Sequence, residues 1–240
     1  MYQGGDKRLR PDLITFNSVL GAWATLHKSS VEGNTRIKNG PNEALQRAES
    51  LFDEMQKMTY LSPCIISHNI MLDMYARIPD LNKTESLFRT ILERKRNLPD
   101  LFRGPDIISY NSLLVAMVHD MNSTSVKRAI DLVLAMDGGD IITDISHLLS
   151  SIKPDILSFN IVLGGLASRN ANEAEDFLRS MEKRYLEGNS MVRPNRVSYN
   201  ICIDAYAQLG SLDKAESLLH EMSIISKERN EPELMPDAFS

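Results

Sequence analysis

The sequence predicts an all-α fold, an α-solenoid of helix–turn–helix repeats. Three observations predict it. Five segments align without gaps: PDLITFNSVLGAWA at 11–24, PCIISHNIMLDMYA at 63–76, PDIISYNSLLVAMV at 105–118, PDILSFNIVLGGLA at 154–167 and PNRVSYNICIDAYA at 194–207. Each is followed by a charged stretch with a periodic apolar stripe, and polar or glycine-containing connectors separate the units. Recurrence at a fixed internal pattern is the signature of a repeat architecture, in which a unit buries its apolar face on its neighbours.

Each first segment reads as a helix entry: Pro, a small or polar residue, an apolar-rich pair, Ser or Thr, an aromatic or His, then Asn. Proline suits a helix boundary, and a nearby Asp, Asn or Ser can accept from the unsatisfied amides of the first turn. Beyond it, Ile107, Tyr110, Leu113, Leu114 and Met117 recur at spacings of three and four, one face of an amphipathic helix. Second helices are predicted at 41–58, 81–94, 125–136, 172–185 and 211–223, where Ala/Glu, Leu-Leu or Leu-Phe, and Met return in order. The repeats are therefore expected at 11–62, 63–104, 105–153, 154–193 and 194–237, after a tail at 1–10. Residues 238–240 continue a sixth start whose motif stops short, which predicts a fragment of a longer array.

The repeat asparagines stand at 17, 69, 111, 160 and 200, in steps of 52, 42, 49 and 40 residues. Two helices with tight turns need only about 34–35 residues. The excess falls in the connectors, and the one at 137–153 contains IITDISHLL, which reads as an extra short helix. A solenoid accommodates such insertions because the closure cost of a loop grows slowly with its length.

Composition excludes several classes. The 240 residues hold 42% hydrophobic side chains, enough to build a core, and only two cysteines, Cys64 and Cys202. They lie 138 positions apart without a CxxC or Cys/His spacing, so neither a disulfide framework nor a structural zinc site is expected. No run of about 18 apolar residues predicts a membrane span. The opening MYQGGDKRLRPD lacks the apolar stretch of a signal peptide and is too short and acidic for a transit peptide. The five histidines show no HExxH or paired ligand spacing, and no nucleophile–base constellation is visible, so no enzyme, metal or cofactor is predicted. The net charge of −5 argues mildly against a nucleic-acid partner, although a repeat protein can gather suitable groups on one face.

The PxxxSYNxLL start, the AESLF and AESLL second helices ending in Met, and the closing Pro-Asp resemble the pentatricopeptide repeat family, in its plain class without an appended enzymatic domain. The resemblance covers roughly residues 11–240, and the long connectors depart from the family's near-35-residue unit. It implies a right-handed superhelix and sequence-selective binding of single-stranded RNA, about one base per repeat.

By that resemblance, Asn17, Asn69, Asn111, Asn160 and Asn200 read base edges. Their partners are Cys64, Asp106, Asp155, Asn195 and Asp237, each just after a repeat-closing Pro. Ile14, Ile66, Ile108, Leu157 and Val197, three positions before each Asn, sandwich the bases. Residues three apart share a helix face, which agrees with this assignment. Asn with Asp implies U, and Asn with Asn implies C or U; the chain then prefers an unassigned letter, U, U, C or U, and U. Cys64 leaves the first letter open, because a thiol is a weak hydrogen-bonding partner.

Eight positions after each Asn the family often carries a phosphate-binding cation; here stand Thr25, Arg77, His119, Ser168 and Gln208. Arg77 is the expected phosphate contact, and so few cations predict weak binding with a shallow salt slope. The resemblance further implies a role in RNA processing, stabilisation or translation, in a mitochondrion or plastid, alongside other RNA-processing proteins.

Bland readings compete at several positions. An isolated Asn in a helix start is ordinarily a cap. The aromatic column Phe16, His68, Tyr110, Phe159 and Tyr199 lies about 100° around the helix from the Asn and is expected in the core. Met55, Met136, Met181 and Met222 read as gap-fillers between helices, and Arg94, Lys95 and Arg96 as a solvated helix end. The competing function is a tetratricopeptide-like scaffold holding a protein partner, which the acidic balance favours. The repeated Asn–Asp pairing favours RNA.

Overall fold

The computed structural model describes residues 10–31, 40–78, 80–120, 122–138, 152–231 and 234–236. The chain is all-helical there, with ten α-helices and no strand among the described residues. It divides into two compact units, residues 1–116 and 117–240, the division falling inside a helix.

The first unit contains α1 (Leu13–Val31), α2 (Gly40–Lys57), α3 (Ile65–Ala76), α4 (Leu81–Asn97) and most of α5 (Ile107–His119). Here α1 packs on α2 and α3, and α3 on α4, so each first helix meets its own second helix and a following first helix. Phe16, Leu20, Leu45, Ala48, Phe52, Met55, Leu61, Met71 and Met74 form one buried cluster between α1, α2 and α3. Each of the larger side chains in such a cluster stabilises the fold by about 1.5–3 kcal/mol through burial.

The second unit begins with the end of α5. It continues through α6 (Ser123–Met136), α7 (Ile156–Ala167), α8 (Ala171–Leu186), α9 (Arg196–Gln208) and α10 (Leu212–Glu228). The same pattern returns: α7 packs on α8 and α9, and α9 on α10. Close approach is explicit at Gly165, where a β-carbon would come within 2.5 Å of the Val118 side chain. Nearby, Arg169 donates to the Val118 and Asn122 carbonyls, each at 3.4 Å, and to the Asp120 carbonyl, closing the end of α5.

The predicted aromatic column lies in the core. Phe16, His68, Tyr110, Phe159 and Tyr199 are all buried, and ring pairs tie them to second helices: Phe52 to His68, Phe88 to Tyr110, Phe159 to Phe177. The four methionines fill the same layer and are buried too.

The basic cluster at the end of α4 is more than a solvated helix end. Arg94 lies over the Phe102 ring and bonds Ser62, while Lys95 donates to the Pro99 carbonyl at 2.7 Å. These contacts fold the 98–104 connector back on its own helix, and Gly104, at φ 80°, makes the turn that Lys95 packs against. The predicted helix within 137–153 and the partner Asp237 lie outside the described residues.

Candidate functional site

Four of the first helices, α3, α5, α7 and α9, begin with a hydrogen-bonded box. At α7, Asp155 accepts from the Ser158 amide at 2.9 Å while the Ser158 hydroxyl accepts from the Asp155 amide at 3.2 Å. The pairs Asp106/Ser109 on α5 and Asn195/Ser198 on α9 are built the same way, with bonds of 3.0–3.1 Å. At α3 the cap is Cys64, whose amide donates to the Ser67 hydroxyl at 3.3 Å. Two orphan donors of the helix start are thus satisfied reciprocally, for about 1 kcal/mol per cap.

Asn17, Asn69 and Asn160 lie one turn or so into the preceding first helix and reach this box. Asn69 Nδ2 donates to Asp106 Oδ1 at 3.0 Å, and Asn69 Oδ1 accepts from the Ser109 hydroxyl at 2.6 Å. Asn160 does the same with Asn195 Oδ1 at 3.3 Å and Ser198 Oγ at 2.7 Å. Asn17 accepts from Ser67 at 2.7 Å but meets sulfur instead of oxygen, its Nδ2 standing 3.7 Å from Cys64 Sγ. The structure therefore brings together three of the expected pairs: Asn17 with Cys64, Asn69 with Asp106, and Asn160 with Asn195. Asn200 and its expected partner fall on either side of the edge of the described residues.

Burial agrees with this geometry. Asn69, Asn111 and Asn160 are 7%, 8% and 9% exposed, so their amides depend on protein partners and present only an edge to solvent. Each triad uses one of the two amide hydrogens and one of the two oxygen lone pairs, leaving the other of each for a further partner.

Three residues before each Asn the environment inverts. Ile14, Ile66, Ile108, Leu157 and Val197 are the second residues of their helices and are 54–74% exposed. A large apolar side chain left in water at the same register of five helices has no packing reason, and burying it against a ligand would be favourable.

Charge is scarcer. Arg77 makes a two-pronged ion pair with Asp73, one turn before it on α3, at 3.0 and 3.2 Å. The corresponding pair on α9 is Gln208 with Asp204, at 2.9 Å. Burial acts to raise the Cys64 thiol, but bonds from Ser67 and Asn17 outweigh it and hold its pKa below the ordinary value. Among the described residues no three His, Cys, Asp or Glu side chains are grouped to hold a metal ion. No described helix is long and apolar enough to cross a membrane.

Sequence reasoning missed the role of Ser67, Ser109 and Ser198, although Ser or Thr recurs at that position in all five segments. The signal was present; only the partner across the repeat boundary was hidden.

A family model described as the PPR repeat matches residues 197–224, the first helix, turn and second helix of the fifth unit. The same helix pair recurs in register at the other four starts. Residues 197–224 carry a pentatricopeptide repeat.

The curated proteins contain similar chains. One is a pentatricopeptide repeat-containing protein of Arabidopsis thaliana, 26% identical over 155 residues, covering 65% of this chain and 26% of that one. A second from the same plant, a chloroplastic pentatricopeptide repeat-containing protein, is 26% identical over 186 residues, covering 72% and 29%. The chloroplastic pentatricopeptide repeat-containing protein OTP51 of Oryza sativa subsp. japonica is 23% identical over 151 residues, covering 63% and 16%. This chain therefore spans less than a third of the length of these relatives.

Among solved structures, the pentatricopeptide repeat protein PPR10 in complex with an 18-nt psaJ RNA element is similar at a TM-score of 0.63 and 18% identity. That match covers 93% of this chain and 26% of that one. PPR10 from maize is similar at a TM-score of 0.51 and 18% identity, covering 91% and 25%. These likenesses show the fold, an α-solenoid of paired helices.

Proposed function

We propose that this chain binds single-stranded RNA selectively, about one base per repeat, with a preference for pyrimidines. The observation that carries the reading is the pairing, in one short helix start, of an exposed apolar side chain with an anchored asparagine edge. An apolar wedge covers the face of a base, and an amide with a spare donor and acceptor meets its rim. The likeness to PPR10 solved with RNA supports the same reading.

The triads also rationalise the letter at each position. Asp106 receives Asn69 and Ser109 on Oδ1, so its other oxygen remains an acceptor, which suits the N3–H of uracil. Asn195 spends its oxygen in the same way on Asn160 and Ser198, so its outer group is an amino donor, which suits N3 of cytosine. For Asn111 with Asp155, and Asn200 with Asp237, the preference for U rests on the family resemblance alone. The Asn17 site, capped by a thiol, imposes the least.

Arg77 is the proposed phosphate contact, and a phosphate there must share the guanidinium with Asp73. So little free positive charge predicts modest affinity. The chain acts as a binder without chemistry of its own, in organellar RNA processing, stabilisation or translation, consistent with chloroplastic relatives. The ion pairing of Arg77 favours the second reading, a helical scaffold for a protein partner.

A fluorescence-anisotropy titration with U-rich, C-rich and A-rich 12-mers at two salt concentrations tests the choice. Tighter binding of the pyrimidine oligomers is expected, and Asp155→Asn moves the third preference from U toward C. Absence of binding at low salt would instead support the protein scaffold.

A further inference from the structure

We propose that the serine at the third position of a first helix is a positioning residue that sets specificity for the preceding repeat. Ser109 and Ser198 fix which way the amides of Asn69 and Asn160 face, and so which atoms meet the base. The proposal rests on the RNA reading above.

The hydrogen-bond polarity carries the argument. The cap residue's backbone N–H donates into the serine oxygen, at 3.1 Å for both Asp106 to Ser109 and Asn195 to Ser198. That occupies a serine lone pair and leaves its single hydrogen to donate elsewhere. The nearest acceptor is the asparagine Oδ1, at 2.6 and 2.7 Å, closer than the 3.1 Å to the cap's own Oδ1. The asparagine Nδ2 then returns a bond to the cap oxygen. The result is a closed ring running from cap amide to serine hydroxyl, asparagine amide and cap side chain.

Only one orientation of the asparagine satisfies this ring. Flipped, its oxygen would face the cap's oxygen, two acceptors with no hydrogen between them, while the serine hydrogen would give up its nearest partner for the cap oxygen at 3.1 Å. Ser67, Ser109 and Ser198 are completely buried, so no water substitutes readily for that partner. A box serving the helix alone needs a serine oxygen only as an acceptor. The additional donation across the repeat boundary is what a capping role leaves unexplained.

Thr15 supplies an internal control. It bonds Asp12 Oδ1 through its amide and its hydroxyl, each at 2.8 Å, yet it is exposed and both bonds stay within its own helix start. Thr15→Ala therefore removes cap bonds without touching a reading amide.

The test compares wild type with Ser198→Ala, Ser198→Thr and Thr15→Ala, by anisotropy with U-rich RNA 12-mers carrying one purine at successive positions. Ser198→Ala is expected to lower pyrimidine-over-purine discrimination by about fivefold, the scale of one hydrogen bond, at the base read by Asn160. Discrimination at the bases read by Asn17 and Asn69 stays, Ser198→Thr retains the wild-type pattern, and Thr15→Ala changes none of it. In the RNA-free protein, the two side-chain amide protons of Asn160 should be well separated and slow to exchange in wild type and Ser198→Thr. In Ser198→Ala they move toward the values of a free amide.

Unchanged discrimination in Ser198→Ala, or an equal loss at every position, overturns the proposal. A wild type that discriminates no base sinks the RNA reading and this specificity role together. The amide signal, read without RNA, then separately supports or refutes the positioning.

Discussion

The Asn17 and Asn69 sites of the first unit stand on the same framework and differ in a few atoms. In both, a buried serine from the next first helix donates to the asparagine oxygen, at 2.7 and 2.6 Å. In one the asparagine nitrogen meets a carboxylate oxygen at 3.0 Å, in the other a thiol sulfur at 3.7 Å. The difference teaches that the repeat scaffold tolerates a changed cap, because α3 still forms behind Cys64. What changes is the chemistry offered beside the asparagine edge. A carboxylate presents a second strong acceptor, whereas a thiol presents almost none.

The largest effect should come from deleting the shared asparagine. Asn69→Ala removes one partner each from the Ser109 hydroxyl and the Asp106 carboxylate, and should cost about 1–3 kcal/mol of discrimination at its base. The Asn17 site should be unaffected, as single-base substitutions in the anisotropy assay would show. Equal losses at both positions would break the one-base-per-repeat reading.

Converting one site into the other is the next test. Cys64→Asp gives α3 an oxygen cap that can accept from the Ser67 amide, for a stability gain of about 0.5–1 kcal/mol in thermal denaturation. It should also impose a U preference of about tenfold at the first base, where wild type discriminates little. A melting gain without the U preference would separate capping from base reading.

The aromatic column sharpens the comparison further, because His68 stands where the neighbouring unit has Tyr110. Its Nδ1 lies 2.7 Å from the Cys64 carbonyl and so carries the proton, while Nε2 is buried without a partner between the Phe52 and Phe102 rings. Burial depresses its pKa below 6.5, the Cys64 bond partly offsets this, and Arg94 adds to the depression. Protonation then favours the unfolded chain. The contribution is fully present above about pH 6.5 and is lost as pH falls through the lowered folded value. The melting temperature should drop between pH 7.5 and 5.5, and His68→Phe should flatten that drop, leaving the other carboxylate-driven changes in place.

The smallest effect belongs to Arg77. Because Asp73 already pairs with it, Arg77→Ala should reduce the salt slope of RNA binding by less than one unit. Asp73→Ala should do the opposite, tightening binding at low salt.

Much of this was legible in the residues. The second helices predicted at 81–94, 125–136 and 172–185 lie within Leu81–Asn97, Ser123–Met136 and Ala171–Leu186. Two starts move out by one or two residues, to where Asn122 and Asn170 accept from the first turn, while α4 runs three residues further at its C-terminal end. The aromatic and methionine layers were also readable, since a period near 3.6 fixes which side chains face inward. The row at Ile14, Ile66, Ile108, Leu157 and Val197 was singled out by the family resemblance, and its exposure comes from the fold.

Long-range partners were not legible. Nothing in the local pattern says that Ser109 reaches Asn69, 40 positions earlier, or that Arg94 covers Phe102 and bonds Ser62. The basic run Arg94, Lys95 and Arg96 reads in sequence as solvent-facing charge, and only the return of the connector gives two of its members internal partners.

Local sequence dictates the repeating element: helix, turn, helix, with its caps, its apolar stripe and its repeated asparagine. Those features follow from backbone periodicity and from side chains acting within three or four residues, which any local window contains. Only the folded chain settles that Asn17, Asn69 and Asn160 are held by the cap and serine of the next repeat. That bond exists only when two helix starts, some 40 to 50 residues apart in the chain, are stacked within hydrogen-bond reach.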